Sequence, residues 1–286
     1  MDMRTARLGL RRSLTPLYGE REAAAIAELT MAHVTGLQRM DRLLREQERL
    51  SPEQAREYDR CASELSRWRP VQYVIGEAWF DGLRFRVDER VLIPRPETEE
   101  LVEWIAEGVG GSRKRVLDIG TGSGCIAVAL KKRCAACIVT AVDKSADALT
   151  LARENAGALK TEVEFRTVDI LDRKGWLTLP VFDVIVSNPP YVTVGEGTSM
   201  RPNVLQYEPE TAVFVAGEDP LLFYRVIAEF AQTHLVPGGI LFFEIHTDRG
   251  EAVCRLLSGA GFEDIHLRKD MQGMDRMVMC RRPTGG

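Results

Sequence analysis

Four consecutive residues, Asn188-Pro189-Pro190-Tyr191, are the part of the chain best suited to chemistry. A planar NH₂ group, whether a carboxamide or the exocyclic amine of a base, is a poor nucleophile because its lone pair is delocalised. The Asn188 side-chain oxygen and the Pro189 carbonyl can each accept one of its hydrogens, and Tyr191 can cover its flat face. The nitrogen is then fixed with its lone pair aimed at an electrophile, which is positioning rather than base catalysis. Pro189 and Pro190 stiffen the backbone and forbid continuation of strand or helix. A plain strand-ending turn also accounts for the tetrapeptide, since Asn-Pro and Pro-Pro are common loop dipeptides.

A second constellation lies upstream. Gly120-Thr121-Gly122-Ser123-Gly124 follows an apolar run and opens a helical one. Glycines there let the backbone approach a ligand, and the helix start supplies free N–H groups. Asp143 stands twenty-three residues after Gly120, where an acid can bind a ribose diol. A nicotinamide fingerprint needs G-x-G-x-x-G. Here the third glycine is Gly124, so the spacing is G-x-G-x-G. It resembles motif I of Rossmann-like methyltransferases, with Asp118 ahead of it helping to hold the donor.

Both constellations need strands to end beneath them. Residues 181–187 form a β-branched run too short for a helix, which predicts a strand buried on both faces. Further strands are predicted at 116–119, 138–142, 162–166, 240–245, and near 262–268 and 276–282. Helices are expected at 125–132, 145–158, 220–235 and 249–259, with a long loop over 191–219 and a turn at Pro237-Gly238-Gly239. This alternation predicts a doubly wound, mostly parallel α/β sheet of seven strands, in which ligands bind at the carboxyl ends.

The start of the chain differs. Residues 1–70 read as three or four helices, one stopped at Gly36 and one opened by Ser51-Pro52-Glu53 and running to Trp68. Residues 71–97 read as a β-hairpin linker: Tyr73, Ile75, Trp79, Phe80, Leu83, Phe85 and Val87 are strand formers, and Asp81-Gly82 is a turn signal. Thr98 is expected to cap the following helix. The domains are thus 1–70, helical and suited to holding a partner; 71–97, the linker; and 98–286, the catalytic domain.

Composition excludes several classes. The chain has 286 residues, 45% of them apolar, with net charge −4. Residues 1–70 hold 13 Arg, no Lys and 11 acids, a net of +2 that leaves −6 for the remainder. No basic field advertises nucleic acid. Arg4, Arg7, Arg11 and Arg12 interrupt any signal-peptide core, and no apolar run spans a bilayer, so a cytoplasmic protein without a membrane partner is expected. Six cysteines lack the density of a disulfide framework, and Cys134-Ala-Ala-Cys137 has no answering pair, so no metal is expected.

Taken together, the motifs identify a family. Arg69–Gly76, Val91–Glu99, Asp118–Gly124, Asn188–Tyr191, Tyr207-Glu208-Pro209 and Asp270–Arg276 resemble, nearly end to end, the release-factor glutamine methyltransferases. Leu92–Glu99 is the most distinctive segment. The resemblance implies a class I S-adenosylmethionine-dependent fold and transfer of a methyl group to the side-chain amide of the glutamine in the Gly-Gly-Gln loop of class I release factors. It implies that Asp118, Gly120, Thr121, Gly122, Ser123, Gly124, Asp143, Ile170 and Asn188 hold S-adenosylmethionine. Asn188, Pro189 and Tyr191 would be catalytic, and Asn188, Pro189, Pro190, Tyr191, Arg95 and Glu97 would bind the protein substrate. A monomer is expected, with no direct nucleic-acid partner.

Pro220, His246, Arg249 and Ile170 depart from the family pattern in loops, without touching the proposed chemistry. Three alternatives stand beside this expectation. They are a paralogue acting on a ribosomal-protein glutamine, a nucleic-acid adenine or guanine N-methyltransferase, and a factor-binding module with a dead site. The charge of −6 opposes the second, and the intact tetrapeptide opposes the third.

Overall fold

The computed structural model describes residues 1–197, 200–215 and 217–285; positions 198, 199 and 216 of the expected 191–219 loop lie outside them. It divides into two compact units, Met1–Glu77 with Arg201–Tyr207, and Ala78–Met200 with Glu208–Gly286.

The first unit is helical. It contains α1 (Met3–Tyr18), α2 (Glu20–Thr35), α3 (Arg39–Leu44), α4 (Pro52–Leu65) and α5 (Val71–Ile75). Gly36 ends α2 in a left-handed conformation, and Ser51 with Gln54 forms a capping box at α4. The last helix corrects the sequence expectation, which ran the linker strand from Val71. Pro70 starts the turn by accepting from the N–H groups of Tyr73 and Val74. Val71 and Val74 then point into the helical core beside Leu65 and Met31, so burial overrides strand propensity. Helix α4 also stops at Leu65 rather than Trp68. Residues Arg201–Tyr207 read in sequence as catalytic-domain loop, yet they join this unit through Arg201–Glu22 and a Tyr207 hydroxyl bond to the Arg67 carbonyl at 2.8 Å.

His33, Glu57 and Cys61 cluster at metal-ligand spacing. The Arg60 guanidinium occupies that cluster, bonded to Glu57 and 3.5 Å from the Cys61 sulfur, and burial pushes the Cys61 thiol up to about 12. It is an ion-pair network, because a cation already stands where a metal would need thiolate and carboxylate.

The second unit opens with the hairpin β1 (Glu77–Phe80) and β2 (Leu83–Arg86), whose turn residues Asp81 and Gly82 both have positive φ, 52° and 70°. The elements α6 (Pro96–Val109), β3 (Arg115–Ile119), α7 (Cys125–Arg133), β4 (Ile138–Asp143), α8 (Ala146–Ala158), β5 (Glu164–Thr167), α9 (Arg173–Trp176) and β6 (Phe182–Ser187) follow. Among its described residues the expected long loop instead carries three short helices, α10 (Val194–Gly197), α11 (Pro202–Tyr207), which belongs to the first unit, and α12 (Glu210–Val213). The chain closes with α13 (Leu222–His234), β7 (Leu235–Glu244), α14 (Gly250–Gly259), β8 (Glu263–Lys269) and β9 (Asp275–Arg281).

Seven strands form one sheet in the order β5-β4-β3-β6-β7-β9-β8. Strands β3 to β7 are parallel, and β8 and β9 join antiparallel, as a pair linked by a short turn must. Helices cover both faces, which is why the strands read as continuous apolar runs. Val184, Val186, Ile240 and Phe242 pack on one side with α6 and α7, while Ile185, Leu241 and Phe243 pack on the other with α13 and α14. Pro237-Gly238-Gly239 is not a free turn but part of β7, at a register shift against β6. A bulge is where a strand tolerates proline. Any side chain at Gly239 would meet the Val236 carbonyl at 2.8 Å.

Strand order reverses direction at β3, with β4 on one side and β6 on the other. That reversal opens a crevice at the carboxyl ends of β3 and β6, where the two motifs lie.

Candidate active site

The glycine turn after β3 is tied to the end of β4. Gly120 and Thr121 both donate to the Val142 carbonyl, at 2.9 and 3.0 Å, and Gly122 N donates to Asp143 Oδ2 at 3.0 Å. Asp143 Oδ1 accepts from Ser145 N at 2.9 Å, so this carboxylate locks the turn as well as facing the cleft. Gly120 and Gly122 have φ of 75° and 53°, and a methyl group added at either would meet no protein atom, because both line open space. Gly124 does different work: a Cβ there would meet Ala152 Cβ at 3.2 Å, so its absence lets α7 and α8 approach.

Behind the turn sits Asp118, fully buried, whose Oδ2 accepts from the Thr121 hydroxyl at 2.6 Å. Burial pushes its carboxyl up to about 7. Asn155, unremarked in sequence, donates to the Ser123 carbonyl at 2.9 Å and bonds both ways to the Arg86 backbone. It clamps the hairpin and α8 to the glycine turn.

On the other side of the crevice, Ser187 donates to the Ile119 carbonyl at 2.8 Å and ties β6 to β3. Asn188, Pro189 and Pro190 then line the same cleft as Gly120, Gly122, Asp143 and Ile170, in an open volume of about 770 Å³. Pro209, Thr211 and Ala212 form part of its wall. Asp118, Thr121, Ser123 and Gly124 do not line it; they support the turn that does.

Of the expected protein-binding residues, Asn188, Pro189 and Pro190 belong to that lining, whereas Arg95, Glu97 and Tyr191 do not. Arg95 pairs at 2.6 Å with Glu208, whose side chain is buried and whose other oxygen accepts from Ile93 N at 3.4 Å. This pair fastens the Leu92–Glu99 segment to the stretch that becomes the cleft wall. Glu97 accepts from Gln272 Nε2 at 3.3 Å. Tyr191 meets the His246 ring at 5.6 Å between centroids, and burial pushes its phenol up to about 12, so it stays neutral.

Two groups at the site escape sequence reading. Thr98 is not the cap of α6, which begins at Pro96 with Arg95 before it. Its hydroxyl instead donates to Glu244 Oε2 at 2.5 Å and accepts from Asn188 Nδ2 at 3.4 Å. Glu244 ends β7, is buried, and is pushed up to about 7 by that burial.

The model of the methyltransferase small domain matches residues 97–206, and that of the PrmC N-terminal domain matches 11–76. A release factor glutamine methyltransferase of Bacteroides thetaiotaomicron is 42% identical over 96% of this chain and 98% of its own. The chain belongs to the release factor glutamine methyltransferase family. A second member, from Flavobacterium psychrophilum, is 39% identical over 93% of this chain and 94% of its own. Among solved structures, a methyltransferase from Pyrococcus furiosus aligns with TM-score 0.50 at 19% identity, over 71% of this chain and 90% of that one, a likeness of fold. The class I methyltransferase fold expected for the family is therefore present, with the helical segment ahead of it. Among the described residues no helix is long and apolar enough to cross a membrane.

Proposed function

We propose that this enzyme transfers a methyl group from S-adenosylmethionine to the side-chain amide nitrogen of the glutamine in the Gly-Gly-Gln loop of class I release factors. The observation that carries this is the shared cleft: a glycine cradle with an acid at its rim stands beside a rigid Asn-Pro-Pro segment, in a chain of this family.

The residues fit the donor. Gly120 and Gly122 leave space that any side chain would fill, and Asp143 keeps lone pairs for a ribose diol after bonding the turn. Ile170, buried at the cleft, offers an apolar surface to a base. When bound, S-adenosylmethionine supplies a methyl group activated on a sulfonium sulfur. The chain's own task is to hold the glutamine amide. Asn188 Oδ1 and the Pro189 carbonyl accept its two hydrogens, fixing the nitrogen's lone pair, while Tyr191, just beyond in the chain and packed on His246, backs this segment with a ring that stays uncharged. No general base is required before transfer, since the proton leaves afterwards.

We assign residues 1–70 to recognition of the release factor, 98–286 to catalysis, and the enzyme to the cytoplasm as a monomer without direct nucleic-acid contact. The test is transfer of labelled methyl to a purified class I release factor and to its Gln→Ala form in the Gly-Gly-Gln loop. Label in the first and none in the second supports the assignment; equal labelling of both sinks it.

A further inference from the structure

A carboxamide presents oxygen on one side and NH₂ on the other, and catalysis by Asn188 requires the oxygen to face the substrate amide. Its orientation is set by two buried groups on other elements. Asn188 Nδ2 donates to Thr98 Oγ1 at 3.4 Å, in the first turn of α6, and Thr98 Oγ1 donates to Glu244 Oε2 at 2.5 Å, at the end of β7. Thr98 and Glu244 are each only 2% exposed, so water does not compete for these bonds.

A hydroxyl has one hydrogen. Spent on Glu244, it leaves the Thr98 oxygen only lone pairs to offer Asn188, which must answer with NH₂. The Glu244 carboxylate, when ionised, only accepts, so the Thr98 proton stays on it. That order of donors requires one orientation of the carboxamide. We propose that Thr98 and Glu244 are positioning residues for methyl transfer: with Glu244 accepting, they hold the Asn188 NH₂ inward and its oxygen toward the cleft. This rests on the proposed glutamine methylation and adds the device that orients its key side chain.

The device has a polarity that protonation reverses. With a proton on Glu244 Oε2, the carboxyl donates to Thr98, the hydroxyl turns to Asn188, and the carboxamide is favoured with oxygen inward. The NH₂ then faces the substrate's own N–H groups. Burial of Glu244 favours this proton, while the Thr98 bond and the Arg276 cation of β9 oppose it and Glu97 of α6 assists it. The other titratable neighbours are Tyr191 after β6, Tyr224 of α13 and Cys125 of α7. All three are pushed upward by burial and stay neutral, so Arg276 and Glu97 are the charges that act on it.

The experiment compares wild type, Thr98→Val, Thr98→Ser and Glu244→Gln by single-turnover methyl transfer to intact release factor between about pH 6 and pH 9. Donor affinity by calorimetry and thermal melting accompany each. Thr98→Val should lower the transfer rate roughly ten- to a hundredfold, the scale of a misplaced reacting group, with donor affinity held within about twofold. Thr98→Ser should recover most of that loss. Wild type should gain rate as pH rises through the Glu244 transition, and Glu244→Gln, which cannot ionise, should be slower and lose that limb. Should Thr98→Val fail to fold, the Glu244→Gln pH profile decides alone. Wild-type rates in Thr98→Val, a Thr98→Ser as slow as Thr98→Val, or an unchanged acid limb in Glu244→Gln would each overturn the proposal. If wild type itself places no methyl on the glutamine, the proposed function falls and takes this with it; if wild type does and the variants match it, only the positioning role falls.

Discussion

Asp143 and Gly122 are joined by a hydrogen bond from the glycine N–H to Oδ2 at 3.0 Å, so the acid at the rim of the cleft also sets the shape of the glycine turn. On the proposed role of Asp143, removing the acid should act twice on the donor: through lost bonds to its hydroxyls and through a loosened cradle. Charge-assisted bonds of this type contribute about 1.5–3 kcal/mol. Asp143→Ala should weaken S-adenosylmethionine roughly ten- to a hundredfold in a protein that still folds. Calorimetry checks this, and unchanged affinity in the folded variant would remove Asp143 from the site.

The three glycines of the turn should separate into two classes. Gly122→Ala adds a methyl group into open cleft, so it should cost about 1–2 kcal/mol of left-handed strain and weaken donor binding. Gly124→Ala carries similar strain and also crowds Ala152, so its larger effect should be on the melting temperature. Paired melting and donor titration distinguish them; a Gly124→Ala variant as stable as Gly122→Ala would contradict the packing role.

Much of this was legible because it is local. The apolar run of 181–187, the prolines that end it and the glycines after β3 each signal their structure within a few residues. The parts that escaped depend on partners far away in sequence. Thr98 looks like a cap because Ser and Thr before helices usually are, but its partner Glu244 lies 146 residues on. Arg95 is expected at the protein substrate, and its pairing with Glu208, 113 residues later, is a contact that no local pattern signals. Val71–Ile75 carries strand formers, yet two of them fit a helical core better than any strand could.

Asp118 gives a pH signature. Burial raises its carboxyl to about 7, above its value in the unfolded chain, so the folded protein holds that proton more tightly. Its stabilising share is therefore complete below about pH 4 and lost as pH rises through about 7. Asp118→Asn keeps an acceptor for Thr121 but cannot ionise. Its melting temperature relative to wild type should rise between about pH 5 and pH 8. A constant difference across that range would show that Asp118 does not titrate there.

The Arg95–Glu208 pair should behave as one unit. Arg95→Ala strands a buried carboxylate, so it should destabilise and distort the cleft wall, whereas the double variant Arg95→Ala with Glu208→Gln should recover part of the loss. Additive losses in a double-mutant cycle would mean that Arg95 acts elsewhere, on the protein substrate.

Whether Asn188 presents a glutamine amide for methylation is read directly by tandem mass spectrometry of release factor after a single turnover. Wild type should place one methyl group on the side-chain nitrogen of the Gly-Gly-Gln glutamine. Asn188→Ala should place none while still binding donor, because the substrate N–H is left unpaired and misaligned, and Asn188→Asp should retain a trace through its surviving acceptor. A methyl group on any other residue, or wild-type transfer by Asn188→Ala, would contradict the account.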